Sequence, residues 1–100
     1  MQTSYGVVWR EGAQPLARGK LELLAHTLRL SGMAGVTQVT REIAYADLST
    51  VRVGRDSADR LNGLASLVLE PSEGEPISLT AVAQPGAVGE LAERIAGLRA

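Results

Sequence analysis

The chain has 100 residues, 45% of them hydrophobic, with a formal net charge of −1 and no cysteine; this sets it at a single domain, 1–100, and excludes a disulfide framework or a thiolate metal site. Only Tyr5, Trp9 and Tyr45 are aromatic and phenylalanine is absent, so Leu, Val, Ile and Ala must fill the core. Residues 1–16 lack the basic start and apolar stretch of a signal peptide, and no apolar run approaches the ~20 residues of a bilayer helix, so the expected setting is the cytoplasm, with attachment to a membrane surface as the alternative.

Tyr5-Gly-Val-Val-Trp9 is a β-favouring run, broken by Gly12-Ala-Gln-Pro15. Arg18 to Leu24 alternates, with Leu21 and Leu23 on one face and Lys20 and Glu22 on the other. Ala25-His26 reads as a tight turn, after which Leu28 and Leu30 resume the inward register until Ser31-Gly32 ends the strand. Met33 to Val36 is then a loop or a strand start, depending on how Gly35 is used.

From Gln38 to Tyr45 the inward positions Val39, Ile43 and Tyr45 are interrupted by Arg41, which predicts an edge strand or a bulge. Ala46-Asp47 supplies a turn, and Leu48 to Val53 forms the next strand with Val51 and Val53 inward. Gly54 to Gly63 is polar and reads as the longest exposed loop. Leu64 to Glu70 and Ile77 to Thr80 form a second hairpin across a turn bounded by Pro71 and Pro76. The last element is a helix over about 85–99, with Pro85 in its first turn and an apolar stripe of Val88, Leu91, Ile95 and Leu98.

These elements predict a mainly β fold of seven antiparallel strands, spanning about 5–80, in a partly open barrel or sandwich capped by the C-terminal helix. Gly89 and Gly97 each weaken that helix by about 1 kcal/mol relative to Ala, so it depends on docking.

Charge is unevenly divided. Residues 1–55 hold seven basic and four acidic side chains, and 56–100 hold three and seven. Arg10, Arg18, Lys20 and Arg29 are the candidate anion-binding or lipid-binding face, since Arg18 and Lys20 share the outward side of one strand and Arg29 lies outward on its hairpin partner. Glu11 and Glu22 are near enough in sequence to neutralise part of it. Arg41, in an inward register, is a candidate partner contact.

No catalytic residue is predicted. His26, the single histidine, falls in a turn without an orienting partner, and no Gly-x-Ser-x-Gly elbow or Gly-rich phosphate cradle occurs. Asp56 and Asp59 lack the glycine and distal glutamate of a calcium loop, so neither metal nor cofactor is expected. The dense basic stripe of a nucleic-acid binder is missing too.

The run RGKLELLAHTLRLSG, then REIAYADLSTVRV, a hairpin and a striped terminal helix resembles the pleckstrin-homology-like (PH-like) superfold, nearest to its small bacterial domains. The likeness runs from about Tyr5 to Leu98. It implies a binding or assembly module that holds anionic lipid headgroups on basic first strands, or docks an extended protein segment along a sheet edge beside the terminal helix. The leading expectation is therefore a non-enzymatic module that binds a protein partner, or itself, through such an edge. The alternative is a peripheral membrane module using the Arg10/Arg18/Lys20/Arg29 face.

Overall fold

The computed structural model describes residues 4–54, 61, 64–81 and 86–99. Seven strands follow in chain order: β1 (Ser4–Glu11), β2 (Ala17–Leu23), β3 (Thr27–Ala34), β4 (Thr37–Ala44), β5 (Leu48–Gly54), β6 (Ser66–Pro71) and β7 (Ile77–Ala81). A 3-10 turn, Tyr45–Asp47, joins β4 to β5, and helix α1 (Ala87–Arg99) closes the chain. All seven strands form one antiparallel sheet in the order β4-β3-β2-β1-β7-β6-β5, curled into a half-barrel against which α1 packs. The first and last hairpin families meet where β1 pairs with β7, Trp9 opposite Leu79.

The concave face carries the core. Alternation places Tyr5, Val7, Trp9, Leu21, Leu23, Leu28, Leu30, Leu67, Leu69, Ile77 and Leu79 inward, and cross-strand pairs such as Leu21 with Leu30 stack them in rows. Val88, Leu91 and Ile95 of α1 complete the cluster, each contributing about 1.5–3 kcal/mol by leaving water. The predicted stripe stops one residue early, because Leu98 is 42% exposed. It sits in the last turn, where Arg99 donates from Nη2 to the Ser49 carbonyl at 2.8 Å. Arg94 fastens the middle of the helix to β1, donating from Nη1 to Tyr5 Oη, with its guanidinium carbon 5.9 Å from the Tyr5 ring centre.

A smaller buried set lies on the convex face: Val8 opposite Thr80, together with Val68 and Ser66. Burial on both faces explains why Val7-Val8-Trp9 and Leu67-Val68-Leu69 read as unbroken apolar runs.

Two readings need correction. β3 does not end at Ser31-Gly32 but continues to Ala34. Gly32 faces Gly19 across the hairpin, and a Cβ on Gly19 would lie 1.8 Å from the Ser31 carbonyl oxygen. The glycine there is a site of close backbone approach and not a break. The turn comes instead at Gly35-Val36, with Gly35 at φ +64 in the first position of a two-residue hairpin loop. Tyr45, placed by alternation in the strand, belongs to the 3-10 turn, though it remains buried. The strand positions of Arg18–Leu24, Leu48–Val53 and the Pro71–Pro76 reversal agree with the sequence reading. Residues 55–60 and 62–63 of the predicted long loop, with Asp56 and Asp59, and Gln84 and Pro85 of the predicted helix start, lie outside the described residues; Leu61 from that loop is buried.

Candidate functional site

Two groups of predicted site residues separate cleanly by face. Arg10, Arg18, Lys20 and Arg29 all project from the convex side, as the period-two reading required: Arg10 is opposite Ser78, Arg18 opposite Val8 and Met33, Lys20 opposite Gly6 and Ser31, and Arg29 opposite Glu22 and Glu42. Their charges are not equally available. Arg29 is bound to Glu42 at 3.1 Å and approaches Glu22 at 3.9 Å, while Lys20 lies 3.7 Å from Glu22. Arg10 and Arg18 make no ion pair among the described residues. Glu11, expected to help neutralise this face, is on the opposite one: it stands in register with buried Ile77 and pairs with Arg41.

Arg41 is inward because its partner in register is the fully buried Leu30. Of the edge position or bulge expected for this strand, the edge is what is found: β4 forms one end of the sheet, and its register with β3 has no bulge. The Arg41 Nε to Glu11 Oε1 separation is 2.8 Å, yet the N–H is not directed at an acceptor, so charge and not an aligned hydrogen bond holds the pair.

Around Arg41 the curled sheet leaves two depressions. One, about 450 Å³, lies at the open end of the half-barrel between β1, the turn after it, β4 and Glu75; Trp9, Glu11, Gln38 and Arg41 are in its wall. The other, about 480 Å³, lies between Arg41, Glu42 and Ile43 of β4 and Asp47, Ser72 and Glu73. Arg41 belongs to both. Trp9 is only 3% exposed, and its Nε1–H has no acceptor among the described residues. A buried donor without a partner costs about 1–3 kcal/mol. Sequence reasoning missed Trp9, Asp47, Glu73 and Glu75, because only the curl of the sheet brings the turn between β6 and β7 opposite β4.

Tyr45 braces the junction between the two edges of the sheet. Its hydroxyl donates to the Leu24 carbonyl at 2.8 Å, and its backbone N–H donates to the His26 carbonyl at 3.1 Å. Burial pushes the phenol above its ordinary value of 10.0, opposed by the Leu24 contact and the positive field of Arg94. His26 itself is exposed in the bend between β2 and β3. Among the described residues no three His, Cys, Asp or Glu side chains gather closely enough to hold a metal ion, and no helix is long and apolar enough to cross a membrane.

The arrangement defines a class by architecture: seven antiparallel strands curled as a half-barrel with a C-terminal helix, consistent with the PH-like resemblance. The same fold occurs in the crystal structure of the C-terminal domain of an unknown protein from Leishmania infantum, with a TM-score of 0.66 and 18% identity over 92% of this chain and 80% of that one. No protein family and no curated protein matches the sequence.

Proposed function

We propose that the chain is a PH-like, non-enzymatic interaction module that takes an extended protein segment on a free edge of its sheet. The observation that carries this reading is the state of β4: eight residues in unbroken register with β3, and no strand on their far side among the described residues. An edge of that length presents a row of main-chain donors and acceptors to a partner strand. The edge beside the helix, β5, supports the reading less well. Its register shifts at Ser49, whose carbonyl is already occupied by Arg99.

A photo-crosslinking residue placed at Thr40 on β4 and, separately, at Thr50 on β5 tests the proposal in cells. Adducts at Thr40 alone support docking on β4. Adducts at Thr50 alone would move the site to the helix side, and none at either position would overturn the reading.

One observation favours a second reading, binding to anionic membranes. Val36 is 96% exposed at the tip of the β3–β4 hairpin, and Met33, 45% exposed, stands directly opposite Arg18, which like Arg10 makes no ion pair among the described residues. Each basic residue near an anionic surface is worth about 1 kcal/mol. Co-sedimentation with anionic but not neutral vesicles, abolished by Arg18→Glu with Lys20→Glu and weakened by salt, is the expected result; binding unchanged in that double variant would end this reading.

A further inference from the structure

We infer that the β4 edge and the two depressions beside it accept a basic extended segment of another protein. The inference rests on the edge-docking reading and adds the chemistry of the partner. The walls of the two depressions hold five carboxylates, Glu11, Glu42, Asp47, Glu73 and Glu75, against one guanidinium, Arg41. Glu11 is matched by Arg41, and Glu42 by Arg29. No ion pair among the described residues engages Asp47, Glu73 or Glu75. Three carboxylates without an ion-pair partner among the described residues therefore stand in the two depressions beside β4, in a sheet whose basic side chains are mostly on the opposite, convex face.

One feature besides the carboxylates marks these depressions as a place for a ligand. It is that β4 pairs with β3 along eight residues and has no strand on its other side among the described residues. An incoming strand with Lys or Arg at alternate positions would pair its main chain with β4 and turn its cations toward the carboxylates, since side chains of a strand alternate between faces.

Charge also decides against a second copy as the occupant. A two-fold pairing of β4 with β4 would face each acidic groove with its equal, and like charges across an interface cost affinity.

The test uses three fluorescent eight-residue peptides of alternating pattern, with Lys, Gln or Glu at the alternate positions and Thr or Val between. Anisotropy with the full chain should give binding of the Lys peptide, weakened on the order of tenfold by Glu73→Lys with Glu75→Lys and weakened by salt. Both residues are exposed in a turn, so the double variant keeps the fold. Amide exchange must slow in β4 when the Lys peptide is bound, and the emission of Trp9, the single tryptophan, must change. Equal binding of all three peptides with β4 protected would overturn the basic preference while leaving edge docking in place. Lys-peptide binding without β4 protection would overturn the edge site. A stable dimer formed through β4 would overturn both the partner chemistry and the heterologous occupant, and no binding by any peptide would overturn the inference together with the reading beneath it.

Discussion

The two strands that end the sheet, β4 and β5, are finished differently. β5 is broken by a register shift between Leu48 and Thr50. Its bulged Ser49 is held twice, Oγ donating to the Glu70 carbonyl at 2.9 Å and the carbonyl accepting from Arg99, and Arg52 donates to the Glu70 carboxylate at 3.2 Å. Bulges and bound side chains are how sheets blunt an edge against unwanted pairing. β4 is tied to its neighbour by side chains as well, Glu42 accepting from Arg29 at 3.1 Å and from Thr27 at 3.2 Å, but its register with β3 does not shift, and its inward charge, Arg41, is answered by Glu11 across the concave face. The contrast lies in the register shift and the Arg99 contact, which β5 has, and in β4, which pairs with β3 without a shift and has no strand on its other side among the described residues. An edge that merely escaped cover would invite self-pairing; in the reading proposed above, the carboxylates beside β4 would make self-pairing costly and favour a basic strand.

The comparison can be broken hardest at the hairpin that carries β4. Gly19→Ala places a Cβ 1.8 Å from the Ser31 carbonyl oxygen and 2.5 Å from Gly32 Cα, both main-chain atoms that can yield only by shifting the strand. Stability should fall by about 4 kcal/mol or more, among the largest single-site effects. Urea denaturation reads it directly, and an unchanged midpoint would refute the close approach. On the opposite side, Ile95→Ala removes a fully buried side chain of the helix that packs on β5, β6 and β7. The expected loss is about 3 kcal/mol, with β5 amides exchanging faster before those of β4. Equal acceleration at both edges would mean that the helix does not distinguish them.

Between the edges stands Tyr45. Tyr45→Phe removes the hydrogen bond to Leu24 and should cost about 1 kcal/mol. The pH dependence follows from the raised phenol. Below pH 10 the phenol is neutral in both folded and unfolded chains and its contribution is constant; above it the unfolded chain releases the proton first, so stability falls as pH rises toward the higher folded value. The Phe variant should lose that alkaline decline, and denaturation curves on both sides of pH 10 would show whether it does.

Much of this division was written in local pattern. The Leu21/Leu23 and Leu28/Leu30 alternation determined the most regular hairpin, and Arg41 in an apolar register marked β4 as an edge or a bulged strand, because a charge there is tolerated only where it can reach water or a partner. The convex placement of Arg18 and Lys20 needed nothing beyond period two. Other features depend on distant parts of the chain. Glycine is an ordinary strand-ender by propensity, so Gly32 read as a stop until Gly19 was found across from it. The partner of Arg41 is Glu11, thirty positions away, which no local pattern links to it. The groove is formed from β4 and the Glu73–Glu75 turn, whose meeting is a consequence of strand order and curl.

The smallest change in stability should give the finest resolution of the two edges. Arg99→Ala removes an exposed hydrogen bond to the Ser49 carbonyl, and its thermodynamic cost is at most about 0.5 kcal/mol. Its effect on β5 should be larger than on stability, since the carbonyl it frees is part of the main-chain row that a new strand would use. Crosslinking at Thr50, silent in the parent chain, should then appear in the variant while the Thr40 signal stays constant. If Thr50 remains silent, the shift at Ser49 is sufficient to close the edge and Arg99 is incidental. If Thr50 already reacts in the parent chain, β5 is not closed, and the asymmetry on which docking at β4 rests is absent.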